Sequence, residues 1–147
     1  MTVLSADSLS VRTADGTKLL RDVSLSIEPG ETVLVCGPPG SGKTLLTKAL
    51  KGLLDSRDNL VVDGSINREG TIGYVFQSPR RQLVRRTVER DVAFGLENRG
   101  VVVEEIGERI ELYSEILDAE HLLKRPVHAL SGGEATKVAI LGVIVTE

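Results

Sequence analysis

The sequence is poor in several residue types, and each shortage excludes something. It has one cysteine, no tryptophan, two tyrosines and two phenylalanines in 147 residues. A single thiol, Cys36, cannot close an internal disulfide. Its place in the apolar run "TVLVCG" points to a small buried hydrophobe rather than a reactive group. With aromatics at 3%, any core has to be built from Val, Leu, Ile and Ala. A surplus of positive charge is also missing: 18 Lys and Arg stand against 21 Asp and Glu, for a net charge of −3, which argues against a general nucleic-acid binder. The opening "MTVLSADSLS" lacks the basic start and apolar stretch of a signal peptide. The longest apolar run, "VAILGVIV" at residues 138–145, falls far short of the ~20 residues that span a bilayer. The expectation is a cytosolic chain, long enough for one domain, whose membrane role, if it has one, comes through a partner.

The remaining composition, 41% hydrophobic and 27% charged, is that of an ordinary globular domain. "LSVRT" and "KLLRDVSLSIE" flank "ADGT" and predict a hairpin turning at Asp15 and Gly16. Val23, Leu25 and Ile27 alternate with Ser24 and Ser26, so one face of that strand should be buried. Two continuous apolar runs, "TVLVCG" and "TIGYVFQ", predict strands buried on both faces. Helices are expected over 43–53 with Gly52 near the end, over 87–97, over 103–119 and from 131 onward. In the third of these Ile106, Ile110, Tyr113 and Leu117 recur at helical spacing. This order suggests an α/β core with a helical insertion.

"GPPGSGKT" fits G-x-x-x-x-G-K-[ST] and sits between an apolar run and the helix-forming "KTLLTKALKGL". Gly37, Pro38, Pro39, Gly40, Ser41, Gly42, Lys43 and Thr44 together form a candidate phosphate cradle. The glycines let the backbone turn its N–H groups inward, and the following helix adds its N-terminal dipole. Lys43 would carry mobile positive charge to β- and γ-phosphates, and the Thr44 hydroxyl would reach Mg²⁺. Near the other end, "LSGGE" contains Ser131-x-x-Glu134, a capping box. It can be a helix start and nothing more. Alternatively, Gly132 and Gly133 bare the amides to an approaching anion.

"GPPGSGKT", then "VFQ" ending at Gln77, then "LSGGE", with "DVSLSIEPGE" ahead of them, resemble the nucleotide-binding domain of ABC (ATP-binding cassette) proteins over nearly the whole chain. "VFQSPRRQLVRRTVERDVAFGLEN" resembles the ATPases of energy-coupling factor and cobalt-type importers. The resemblance implies an α/β P-loop NTPase (RecA-like) core over 1–147, with an N-terminal antiparallel β-subdomain and a helical subdomain over about 79–130. It also implies that Lys43 and Thr44 hold ATP and Mg²⁺, and that Gln77 touches Mg²⁺ and the attacking water. Ser131, Gly132 and Gly133 would meet the γ-phosphate held by a second ATP-binding subunit, identical or different. That dimer would drive a transmembrane transporter subunit from the cytoplasmic face.

Departures from the family pattern accompany the match. "LSVRTADG" has no aromatic to stack on adenine, which leaves Arg12 or Val11 for that place, and Glu134 stands where the family commonly has glutamine. The resemblance also implies an apolar strand ending in Asp-Glu after the signature helix, then a switch histidine, and strands flanking "TVLVC". None of these occurs before Glu147, so the chain reads as C-terminally incomplete and, alone, as catalytically inactive. Glu147 falls at the helix end, and His121 and His128 precede the signature, so none of the three takes a catalytic role.

Arg80, Arg81, Arg85, Arg86 and Arg90 crowd after Gln77. They are either a solvated charged face or, by the resemblance, a docking surface for the membrane partner; no aromatics interleave them as nucleic-acid binding would favour. The leading reading is the ATPase subunit of an importer for a metal ion or vitamin. A soluble ABC-type ATPase of DNA repair or translation, and a nucleotide-binding module without turnover, are the alternatives.

Overall fold

A computed structural model describes residues 2–54 and 59–146. The chain divides into two compact units, Met1–Ile72 and Gly73–Glu147.

The first unit is built on β1 (Leu4–Thr13), β2 (Lys18–Ile27) and β3 (Leu60–Arg68), which form an antiparallel sheet in the order β2-β1-β3. The expected hairpin joins β1 to β2, with Gly16 in the left-handed region at φ 90°. β3 was not foreseen. Its Val61, Val62 and Ile66 suit a strand, but "DG" at Asp63 and Gly64 reads locally as a turn. Here that pair makes a bulge instead. The register runs from Asp7↔Ser65 to Ser10↔Asp63, so Ser8 and Leu9 face Gly64 alone. The extra residue changes which parity points inward: Ala6, then Leu9 and Val11, all reach the core. α1 (Lys43–Lys51) covers that face with Leu46, Ala49 and Leu50.

α1 stops as expected. Gly52 adopts φ 82°, its N–H donates to Ala49 O at 2.9 Å, and Leu53 N–H donates to Lys48 O at 2.8 Å. From β3, Arg68 donates Nε to Leu50 O at 2.6 Å and Nη2 to Ala49 O at 3.0 Å, placing a cation on the negative end of the helix.

The second unit is helical: α2 (Val88–Glu97), α3 (Val103–Ile116) and α4 (Gly132–Ile144), with 3-10 turns at Pro79–Arg81, Glu120–Leu122 and Val127–Ala129. α3 ends earlier than its apolar spacing suggested, because Leu117 leaves the helical region and Asp118 takes a positive φ of 49°. The core draws Val88, Val92 and Leu96 from α2, Ile106 and Ile110 from α3, and Val138 and Leu141 from α4. Each fully buried aliphatic side chain of this kind contributes about 1.5–3 kcal/mol.

Two expectations fail. Residues 32–37 and 71–77 form no strand. Leu34 is 83% exposed, and Cys36 is exposed rather than buried. An apolar run states a demand for burial but cannot supply the neighbour that meets it. A strand needs an edge to pair with, and among the described residues no strand pairs with either run.

The bulge gives a test. A Cβ on Gly64, at φ 97°, would lie 2.6 Å from Ser8 O, whereas one on Gly16 would meet nothing within 4 Å. Gly64→Ala is expected to destabilise the first unit by about 2 kcal/mol or more and Gly16→Ala by about 1 kcal/mol. Urea midpoints would check this, and equal losses would contradict the bulge.

Candidate nucleotide-binding site

The loop "GPPGSGKT" opens α1 without a side-chain cap. Gly42 stands at the cap position with φ 88°, and Gly40 has φ 81°. Both angles exclude ordinary L-residues, and neither glycine has a side chain to cover the opening amides of α1. The loop is drawn tight where Ser41 N–H donates to Pro38 O at 3.2 Å, and a Cβ on Gly37 would lie 2.8 Å from Ser41 Oγ. Lys43 folds back over it, donating from Nζ to Gly37 O and Pro38 O at 2.8 Å each, with Ser41 Oγ at 3.4 Å. An ammonium is thus held on the carbonyls of an exposed glycine loop that leads into a helix start without a side-chain cap, an arrangement suited to an anion. Thr44 is exposed on the first turn of α1. Val11 lies fully buried in the sheet and cannot stack on a base. Arg12 is paired with Asp63, Nε to Oδ2 at 3.0 Å, and keeps a partly exposed guanidinium.

In the second unit Gln77 is exposed, in a bend before the 3-10 turn rather than at the end of a strand. The residues ahead of it are held by Gln82, which accepts from Phe76 N–H at 3.2 Å and donates to Tyr74 O at 3.3 Å. Tyr74 and Phe76 meet edge to face at 4.9 Å.

The signature sequence forms the expected capping box. Ser131 Oγ accepts from Glu134 N–H at 3.3 Å, and Glu134 Oε2 accepts from Ser131 N–H at 2.6 Å. Gly132 and Gly133 are exposed, and a Cβ on either would meet open space. Sequence reasoning missed Arg125, whose Nη1 lies 2.6 Å from Glu134 Oε1. Its signal, a cation upstream of an N3 carboxylate, has no fixed spacing, because the 3-10 turn Val127–Ala129 brings the two together. His121 and His128 are exposed, and Glu147 lies outside the described residues.

The basic cluster is divided by its contacts. Arg80 donates to Leu130 O, while Arg85 lies over Phe94 at 4.3 Å and approaches Glu97 at 3.8 Å. Val84, Arg85, Arg86, Arg90 and Glu97 line a cavity of about 550 Å³.

A family model described as ABC transporter matches residues 20–147. The chain belongs to the ABC transporter family. The energy-coupling factor transporter ATP-binding protein EcfA1 of Halalkalibacterium halodurans is 40% identical over 143 residues, covering 91% of this chain and 51% of that protein. EcfA1 of Bacillus subtilis is 42% identical over 135 residues, covering 86% and 48%. Among solved structures, cbiO1 from Clostridium perfringens, part of the ABC transporter complex cbiONQ, is similar with a TM-score of 0.85 at 30% identity, over 99% of this chain and 62% of that one. The fold is accordingly the P-loop NTPase fold of ABC ATPase domains, and the chain spans about half the length of the curated relatives it matches. No helix among the described residues is long and apolar enough to cross a membrane.

The capping box should be visible in stability. The Ser131 N–H, then the Ser131 hydroxyl and the Arg125 guanidinium, lower the Glu134 carboxyl from 4.5 to about 2. A depressed carboxyl stabilises the fold above its unfolded value and loses that contribution as protons bind. Wild type is therefore expected to exceed Glu134→Gln in denaturant stability above pH 4.5, the gap shrinking as pH falls toward about 2. A gap independent of pH would refute the charged cap.

Proposed function

We propose that this chain is the ATP-binding part of an ABC-type membrane importer, coupling ATP binding and hydrolysis to uptake of a metal ion or vitamin that the membrane partner selects. One observation carries the proposal: Lys43 is held over a glycine loop at an uncapped helix start, with Gly40 and Gly42 left-handed. The names of the energy-coupling factor relatives support the importer branch.

On this reading the amides of the loop and of the first turn of α1 surround the β- and γ-phosphates. Lys43 exchanges the Gly37 and Pro38 carbonyls for phosphate oxygens, replacing neutral acceptors with charged ones. Mg²⁺, when bound, neutralises phosphate charge, and Thr44 has the exposed hydroxyl for it. Gln77 would keep the place beside Mg²⁺ and the attacking water that the resemblance implies. Ser131, Gly132 and Gly133 serve the nucleotide of a second ATP-binding subunit, where a helix N-terminus favours the developing negative charge. The arginine-lined cavity at Arg85, Arg86 and Arg90 receives the transmembrane subunit, so the chain works peripherally at the cytoplasmic face. On this reading the 147-residue polypeptide alone binds nucleotide without turnover, since it carries no apolar run ending in the Asp-Glu pair that the resemblance implies for polarising the water.

Lys43→Ala is expected to weaken ATP binding by about 1.5–3 kcal/mol, roughly ten- to a hundredfold, in a nucleotide titration. Superimposable curves for mutant and parent would remove Lys43 from the site. ATP turnover by the parent above this mutant's would refute the inactive polypeptide.

Ser131→Arg should leave that titration unchanged and abolish ATP-dependent association in sedimentation. Continued ATP-induced dimers would sink the shared site.

A further inference from the structure

The turn that opens α4 contains an electrostatic conflict. Gly132 and Gly133 are exposed at the first two positions of α4 and have no side chain to cover the helix start, yet the adjacent Glu134 brings a carboxylate to the same place. A negative charge there satisfies the helix dipole, but it also repels any anion approaching those amides. Resting on the reading that the signature turn meets a phosphoryl group, we propose that Arg125 is a positioning residue: it cancels the Glu134 charge and holds the turn so that the Gly132 and Gly133 amides can receive an anionic phosphoryl oxygen.

The geometry gives Arg125 one arm for each task. Nη1 donates to Glu134 Oε1 at 2.6 Å, and Nη2 donates to Ala129 O at 2.9 Å, just ahead of the signature serine. Glu134 is left with its other oxygen on the Ser131 N–H. Both carboxylate oxygens are therefore engaged, and neither is free to turn toward the glycines. The arginine is itself fixed from behind. Its carbonyl accepts from Val88 N–H at 3.1 Å at the start of α2, and the next residue, Pro126, bridges to Thr87. The other nearby cation on α4, Lys137, is committed to Asp118, donating to its backbone O at 2.9 Å. Arg80 adds a tether to Leu130 O but no contact with the carboxylate. Charge cancellation at the signature thus falls to Arg125.

A structural brace and a charge-cancelling one differ in how they are rescued. If Arg125 only stabilised the turn, removing the Glu134 charge as well would add damage. If it cancels charge, Glu134→Gln should repair what Arg125→Gln breaks, because a glutamine still accepts from the Ser131 N–H.

The experiment follows the amide resonances of Gly40, Gly42, Gly132 and Gly133 in the full chain during titration with MgATP. Arg125→Gln is expected to weaken the Gly132 and Gly133 response about tenfold while leaving Gly40 and Gly42 at wild-type affinity. The pair Arg125→Gln with Glu134→Gln should recover to within about twofold. Arg125→Lys, which keeps the charge and loses the fork, should fall by less than about threefold. An unchanged Arg125→Gln, a double variant as weak as the single, or Gly132 and Gly133 silent in wild type while Gly40 and Gly42 respond would overturn the proposal and leave the ATP reading standing. Silence at all four glycines in wild type would overturn both.

Discussion

An α-helix begins with amides that no carbonyl of its own can satisfy. Both candidate sites rest on that deficit and resolve it in opposite ways. At α1 the cap position is a left-handed glycine with no side chain, so the amides stay available and the charge that belongs there must come from outside. At α4 the side chains of Ser131 and Glu134 supply the cap, and the two glycines between them keep the backbone approachable. A conventional cap on α1 would fill the place proposed for phosphate. A missing cap on α4 would leave the signature turn to fray.

The opposite ends of the same elements are tied down, which lets the sites stay open. α1 finishes with its carbonyls met by Gly52, Leu53 and Arg68, and its apolar face is closed on the sheet by Leu46, Ala49 and Leu50. α4 runs into the helical core through Val138 and Leu141, while Arg80 and Arg125 hold the carbonyls of Leu130 and Ala129 before its first turn. Rigidity is thus concentrated behind each opening amide group, where it fixes the group without occupying it. The cost of a wrong side chain is correspondingly local, as at Gly42, where the left-handed angle alone excludes most residues.

The arginines after Gln77 do not act as one surface. Arg80 serves the backbone of the signature turn, whereas Arg85, stacked on Phe94, lines the cavity with Arg86, Arg90 and Glu97. A charge run read from sequence averages over such differences, because side-chain partners depend on which elements pack nearby. The hidden strand β3 is a related case. "DG" at Asp63 and Gly64 is a turn by local chemistry, but Ser8 opposite it turns the same glycine angle into a bulge.

Wherever a feature depends on neighbours along the chain, the sequence by itself determined it. The start of α1 at Lys43 after left-handed Gly42, the Gly52 stop, the hairpin at Gly16, the spacing of Ile106 and Ile110, and the Ser131–Glu134 cap each need contacts within a few residues, and each took the expected form. Tertiary structure decided the rest, because it supplies partners that no local pattern names. Among the described residues it left 32–37 and 71–77 without a strand to pair with, and it exposed Cys36. It buried Val11 and paired Arg12 with Asp63, and it brought Arg125 to Glu134 across a turn whose path the sequence does not announce. Apolar and charged residues state what they require. Which residue meets the requirement depends on pairing and packing between segments far apart in the chain.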